Sequence, residues 1–322
     1  MQALGVMFHH FHGGTHPPVQ GSISADDLRA MIRWIGPGRI LPARDWLSRA
    51  EEGVLEIDDW CLTFDDNLKC QYDVALPVLR EFDLTAFWFI PTATLTNEPP
   101  KLEIYRTFRT TAFDEIEDFY GEFFRALAAS DDAAEIETQL ERFDPSSYLC
   151  EFPFYSEADR RFRFVRDEVL GPQRYERVMD ELMAAHGVRG ADLAPRLWMN
   201  ARQIRELHEA GHVIGMHSHS HPTRMAHLYP EAQMRDYREN YNILCQITGC
   251  PPRTVSHPCN SYNSETLDVL RRLGATVGFR ADSTLEAFSE LEYPRADHAW
   301  IAQEMRRCES PFSPATSLAT WR

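Results

Sequence analysis

The sequence contains no run approaching the roughly 20 consecutive apolar residues that a helix needs to cross a bilayer. Its start, Met1-Gln2-Ala3-Leu4-Gly5-Val6-Met7-Phe8, lacks both a basic segment and a small-residue cleavage site. The expectation is a cytoplasmic protein without a membrane span. Basic residues are also in deficit: 33 Lys and Arg stand against 49 Asp and Glu, a formal charge of −16. That balance disfavours a broad grip on nucleic acid or anionic membrane. Cysteines number 7 and are scattered, with no Cys-x-x-Cys pair. Neither a disulfide framework nor a thiolate zinc knuckle is expected, and the thiols read as reduced and mostly buried. No internal repeat is found. What is present is the 43% hydrophobic and 25% charged content of an ordinary globular chain, long enough at 322 residues for one or two domains.

Leu4 to Phe8 is a short apolar run that stops abruptly in His9-His10-Phe11-His12, the pattern of a buried strand entering a loop. Ser24 begins an amphipathic stretch to Ile35 and has the character of an N-cap. Trp60 to Phe64 and Thr85 to Pro91 read as further strands, with an amphipathic helix over Val74 to Phe82 between them. Strand, helix, strand with short connections is the unit of a parallel sheet or barrel. Residues from about 100 to 195 break this rhythm with charged amphipathic helices over 113–129, 133–143 and 173–186, a helical insertion in one domain spanning 1–322. The alternation resumes with helices over 201–210, 231–248 and 264–273 and strands over 212–216, 254–257 and 276–279, and the stretch after Arg307 reads as loop.

Chemistry-bearing residues cluster where the apolar runs end, the face on which parallel barrels build active sites. In Thr63-Phe64-Asp65-Asp66-Asn67 two adjacent carboxylates repel unless a cation compensates them, so one could hold a metal while the other handles a proton; a solvated Asp-Asp-Asn turn is the plainer reading. In His217-Ser218-His219-Ser220-His221 the outer histidines stand four apart and can reach one ion if the segment is helical or turned, with His219 pointing elsewhere. The third cluster is Ser256-His257-Pro258-Cys259-Asn260-Ser261-Tyr262-Asn263, otherwise a Pro-Asn turn. Together Asp66, His217 and His221 form a two-histidine, one-carboxylate donor set that suits zinc and leaves a position for water.

In these motifs the chain resembles the polysaccharide deacetylases, the NodB-homology domain of carbohydrate esterase family four. Thr63-Phe64-Asp65-Asp66-Asn67 is similar to the family's Thr-Phe-Asp-Asp-Gly, His217 to His221 to its His-Ser/Thr-x-x-His, and His257 to Asn263 to its third motif. The similarity covers residues 1 to about 95 and 198 to about 300. It implies a distorted (β/α) barrel of about seven strands and a metal-dependent carbohydrate N-deacetylase. The divalent ion would be Zn2+, or Co2+, Ni2+ or Mn2+, held by Asp66, His217 and His221. Asp65 would be the catalytic base, oriented by Arg295 with Asp297 in support, and the Cys259 amide would help hold the oxyanion. His10, Asn67, Pro258, Asn260 and Tyr262 would line the substrate pocket.

The sequence departs from the family pattern at four points, one of them Ser256 in the place of an arginine that often precedes the third-motif proline. Asn67 replaces the motif glycine, and Cys259-Asn260 replaces Tyr-Gly. The family's late Leu-x-x-His, source of the general acid, is absent from the tail. Phe8-His9-His10 is similar to an N-terminal arrangement of some relatives, which makes His9 the first choice for the acid, with His10 and His298 as alternatives. The implied substrate is a small-molecule carbohydrate, an N-acetylated amino sugar linked to a nucleotide or lipid, and homo-oligomerisation stays open. The insertion carries Phe152, Phe154, Tyr155, Arg160, Arg161, Arg163 and Arg166, which either offer contacts to a substrate phosphate or form a core stripe with a solvated arginine face. Two other readings of the chain remain: a hydrolase of formyl or non-sugar C–N bonds, and a carbohydrate-binding relative without catalysis.

Overall fold

The computed structural model describes residues 4–97, 99–150, 155–283 and 289–309. They divide into two compact units, one of residues 4–18, 22–97, 99–100, 198–283 and 289–309, the other of residues 19–21, 101–150 and 155–197.

The first unit alternates strands and helices. In chain order these are β1 (Leu4–Phe8), α1 (Ala25–Ile35), α2 (Ala43–Glu52), β2 (Trp60–Asp65), α3 (Leu76–Glu81) and β3 (Phe87–Ile90). The second unit then contributes α4 (Lys101–Thr111), α5 (Ile116–Ala128), α6 (Ala133–Leu140), α7 (Glu157–Phe164), α8 (Gly171–Ala185) and the short α9 (Gly190–Leu193). The first unit resumes with α10 (Ala201–Glu209), β4 (Val213–Met216), α11 (Pro230–Thr248), β5 (Thr254–Ser256), α12 (Ser264–Arg272), β6 (Val277–Phe279), β7 (Arg295–Asp297) and α13 (His298–Glu309).

All seven strands form one sheet in the order β6-β5-β4-β3-β2-β1-β7, every ladder parallel. The opening between β6 and β7 is spanned by the segment entering β7. The Tyr293 amide donates to the Gly278 carbonyl at 2.7 Å, the Arg280 amide to Tyr293 at 3.1 Å, and the Gly5 amide to Pro294 at 3.1 Å. The result is the nearly closed seven-stranded (β/α) barrel that the motifs imply. Strands in such a sheet are covered on both faces and read as continuous apolar runs, and every residue of β2 and β3 is buried. Phe64 stacks on Trp88 at 4.5 Å between centroids and on Phe8 at 5.4 Å. Gly215 in β4 is required by close approach: a Cβ there would lie 2.5 Å from the Phe89 ring and from Thr254 Oγ1.

Ser24 caps α1 as expected, in a reciprocal capping box with Asp27, and Asn200 and Asn263 cap α10 and α12 in the same way. Six elements escape the sequence reading: α2, α4, α7, α9, β7 and α13. β7 is only three residues long and carries Arg295 and Asp297, so it has neither the length nor the apolar run by which a strand is recognised. The thiols require a correction. Only Cys61 and Cys70 are buried, whereas Cys150, Cys250, Cys259 and Cys308 are exposed, because these four lie on loops and at helix ends rather than on strands. Phe152, Phe154 and nearly all of the tail after Arg307 lie outside the described residues.

Candidate active site

The three motif loops follow β2, β4 and β5 and share an unusual backbone. Asp66 (φ 77°) and Asn67 (φ 59°), Ser218 (φ 59°) and His221 (φ 51°), and Cys259 (φ 51°) and Asn260 (φ 54°) all have positive φ. Non-glycine residues seldom accept such angles unless the surroundings enforce them, and they gather at functional sites. Asn67 takes the left-handed turn in place of glycine at modest cost, since asparagine tolerates this region. Its side chain is fully buried, with Nδ2 donating to Thr94 Oγ1 at 2.8 Å and to the Met199 carbonyl at 3.1 Å. The amide thus ties three loops together and leaves no exposed face for a substrate.

Two consecutive positive φ values after β2 send the neighbouring carboxylates to different environments. Asp65 is 2% exposed. Its Oδ1 accepts from Arg295 Nη1 at 2.8 Å, and its Oδ2 accepts from Arg295 Nη2 at 2.8 Å and from Ser256 Oγ at 3.0 Å. Arg295 spends its other three donors on the Arg280 carbonyl (2.8 Å), Thr63 Oγ1 (3.2 Å) and Ser256 Oγ (2.7 Å). All five guanidinium N–H groups are therefore satisfied, the condition under which a buried ion pair is tolerable. Burial pushes the Asp65 carboxyl up, but the Arg295 guanidinium, with His217 adding to it, holds it below the usual carboxylate range. Asp65 is a fixed carboxylate at neutral pH.

Asp66 faces the histidines. Its Oδ1 lies 3.1 Å from His221 Nε2 and 3.4 Å from His217 Nε2, and one ligand atom from each of the three residues falls within 4.8 Å of the others. Burial again opposes ionisation, yet His221 first and His217 next hold Asp66 well below the carboxylate range. For His221, burial disfavours the imidazolium but the Asp66 carboxylate outweighs it, so its range lies above the ordinary one. His217 Nδ1 lies 2.8 Å from the Ser256 carbonyl, which can only accept. That bond places a proton on Nδ1 and turns Nε2 toward Asp66, the ring orientation that ligation through Nε2 needs. The donor set fits a borderline divalent ion such as Zn2+.

The His217–His221 segment is a turn rather than a helix, closed by the His221 amide donating to Ser218 Oγ at 3.0 Å. His219 points elsewhere, as its place in the motif suggests, with Nδ1 2.9 Å from Thr92 Oγ1 and Nε2 3.5 Å from Glu239. His9 Nε2 stands 3.9 Å from Asp66 Oδ2, with about a third of its side chain exposed. His10 is buried, and His298 is buried with its ring stacked 5.9 Å from Phe8.

Two residues of the third loop make contacts with neighbours other than Asp65 and Asp66. Asn260 donates from Nδ2 to Asp282 at 2.8 Å and accepts from the Ala281 amide at 2.9 Å. Tyr262 stacks on His257 at 4.0 Å, and burial, helped by Glu292, pushes its hydroxyl up to about 12. Pro258 is buried and Cys259 exposed. The Asp297 carboxylate accepts from the Ala299 amide at 2.8 Å and lies 3.4 Å from His298 Nδ1, a bond that holds the start of α13. Ser256, which the sequence reading names without a catalytic part, proves central: its hydroxyl links Asp65 to Arg295 and its carbonyl orients His217.

With this geometry established, the chain can be set beside known proteins. Residues 172–278 match the family model described as polysaccharide deacetylase, a span that holds the second motif and the third. The match bears out the resemblance read from the motifs. No curated protein sequence matches the chain. Among solved structures, the deacetylase PplD of Streptococcus pyogenes, in complex with acetate, is similar with a TM-score of 0.53 at 13% identity, over 95% of this chain and 98% of that one. A de-N-acetylase from Aggregatibacter actinomycetemcomitans gives 0.54 at 12% identity over 92% and 96%. The BpsB deacetylase domain from Bordetella bronchiseptica gives 0.50 at 14% identity over 92% and 96%. At these identities the likeness shows a shared fold. In the described residues no helix is long and apolar enough to cross a membrane.

Proposed function

We propose that the chain, read as one deacetylase domain with a helical insertion, is a metal-dependent hydrolase that removes the N-acetyl group of an amino sugar. The observation that carries this reading is the convergence of Asp66, His217 and His221 beside an ionised, arginine-held Asp65. A divalent ion held by Asp66, His217 and His221 supplies Lewis acidity toward the acetyl carbonyl and toward water. Asp65, fixed by Arg295 and Ser256, accepts the proton of the attacking water. Its low basicity is offset by position, since it needs no reorganisation to meet that proton. His9, partly exposed at the edge of the cluster, gives a proton to the departing amine. The Cys259 amide stabilises the tetrahedral oxyanion. The products are acetate and a free amino sugar.

Metal content and acetate release, measured over a panel of N-acetylated sugars free or linked to nucleotide or lipid, test the proposal. Asp65→Asn should retain the ion and lose at least about a hundredfold in turnover, the lower range for removing a general base. His217→Ala should lose both. Equal metal loss in the two variants would overturn the division of roles. Formate release in place of acetate would redirect the reading to a deformylase, and metal-loaded protein that binds sugar without releasing acid would overturn catalysis.

A further inference from the structure

Within the second unit, Arg109 and Arg163 carry buried donor atoms that no hydrogen-bond partner satisfies. Arg109 on α4 is 3% exposed, and its Nε and Nη1 have no hydrogen-bond partner. The guanidinium lies 5.1 Å from the centroid of Phe162 on α7, and that of Arg166 lies 5.8 Å from the same ring. Arg163 sits 3.9 Å over the Tyr155 ring, and its buried Nε is likewise without a partner. Of the neighbouring carboxylates, neither accepts a hydrogen bond from Arg109 or Arg163. Asp159 accepts from Tyr120, Gln20 and Ser156, and Asp167 takes both arms of Arg166.

A cation–π contact returns about 2 kcal/mol at best, whereas an uncompensated buried ion costs several. Burial, reinforced by Arg106 and Arg166 though opposed by Tyr175, lowers the Arg109 range, in keeping with a site short of negative charge. Guanidinium forks match the paired oxygens of a phosphoryl or carboxylate group.

We infer that Arg109 and Arg163, with the Asp167-bound Arg166 beside them, form an oxyanion site around Phe162 and Tyr155, which takes a dianionic phosphoryl group of a small ligand. The site lies wholly within the helical unit and does not depend on deacetylation.

The test is calorimetric titration and thermal unfolding of the full chain with inorganic phosphate, against acetate and against sodium chloride at matched ionic strength. It is run with chelator and in a His217→Ala background, so that the metal cluster contributes nothing. Saturable binding and a rise in Tm with phosphate, beyond the chloride control, are expected. Arg109→Met should weaken phosphate binding at least tenfold while melting, without phosphate, no lower than the parent chain, because a residue with a merely structural part would melt lower. Arg163→Gln should also weaken binding, and it serves if Arg109→Met fails to fold. Absence of saturable binding, parental affinity in the variants, or a preference for acetate would overturn the assignment.

Discussion

Arg295→Met removes the group that makes Asp65 tolerable in the interior, and its cost can be worked from the bonds. The substitution deletes five donors, of which two bind Asp65, two bind hydroxyls and one binds the Arg280 carbonyl. Breaking one partner of a buried pair costs about 3–5 kcal/mol, a large part of the 5–15 kcal/mol typical of a folded domain. The charge, rather than lost packing, is the cause, so Asp65→Asn in the Arg295→Met background should recover about half of that loss. Sign matters here. The Asp65 carboxyl lies below its ordinary range in the folded chain, so it stabilises the fold above that range, and this stabilisation disappears as pH falls through it. In Arg295→Met burial acts without its main opponent, the carboxyl rises, and the acid limb of kcat moves to higher pH. Urea unfolding at pH 7 and kcat profiles between pH 4 and 8 read both effects. A loss under 1 kcal/mol with an unmoved acid limb would refute the reasoning.

Other expectations follow from the same structure. Gly215→Ala drives a Cβ to 2.5 Å from the Phe89 ring and Thr254 Oγ1 and should cost about 1–3 kcal/mol in overpacking, read by thermal melting. Gly5→Ala brings a Cβ to 3.0 Å from Arg295 Cγ; it should lower kcat more than Tm by tilting the guanidinium against Asp65. His212 and His257 are held neutral mainly by burial, each lowered to about 4. A folded-state range below the unfolded one means stability is lost as pH falls from about 6.5 to 4, by about 3 kcal/mol for each histidine, and urea midpoints at pH 7 and 4.5 check it. His9→Ala should keep the metal and lose turnover most with substrates whose leaving amine is most basic.

Much of the site is legible in the sequence because its residues adjoin strand ends. Asp65 and Asp66 follow an apolar run, and the histidines at 217 and 221 sit at a spacing that a tight turn can close on one ion. What the sequence hides is long-range or conformational. Nothing local to Ser256 shows that its hydroxyl joins Asp65 to Arg295, residues far apart in the chain. Asn67 reads as a pocket residue, but a buried amide that binds Met199 and Thr94 emerges only when the loops come together. β7 escapes because its pairing comes from β1 rather than from its own composition. The arginines named in the helical unit read either as contacts to a substrate phosphate or as a solvated face, and Arg109 is not among them, since periodicity cannot show that it is buried.

Cobalt substitution tests the central claim most directly. The purified chain should bind one equivalent of Co2+ with the visible d–d absorption of a low-coordinate site, keep that band in Asp65→Asn, and lose it in Asp66→Ala, His217→Ala and His221→Ala. A band that survives in any of those three alanine variants, or no stoichiometric cobalt at all, would contradict the account.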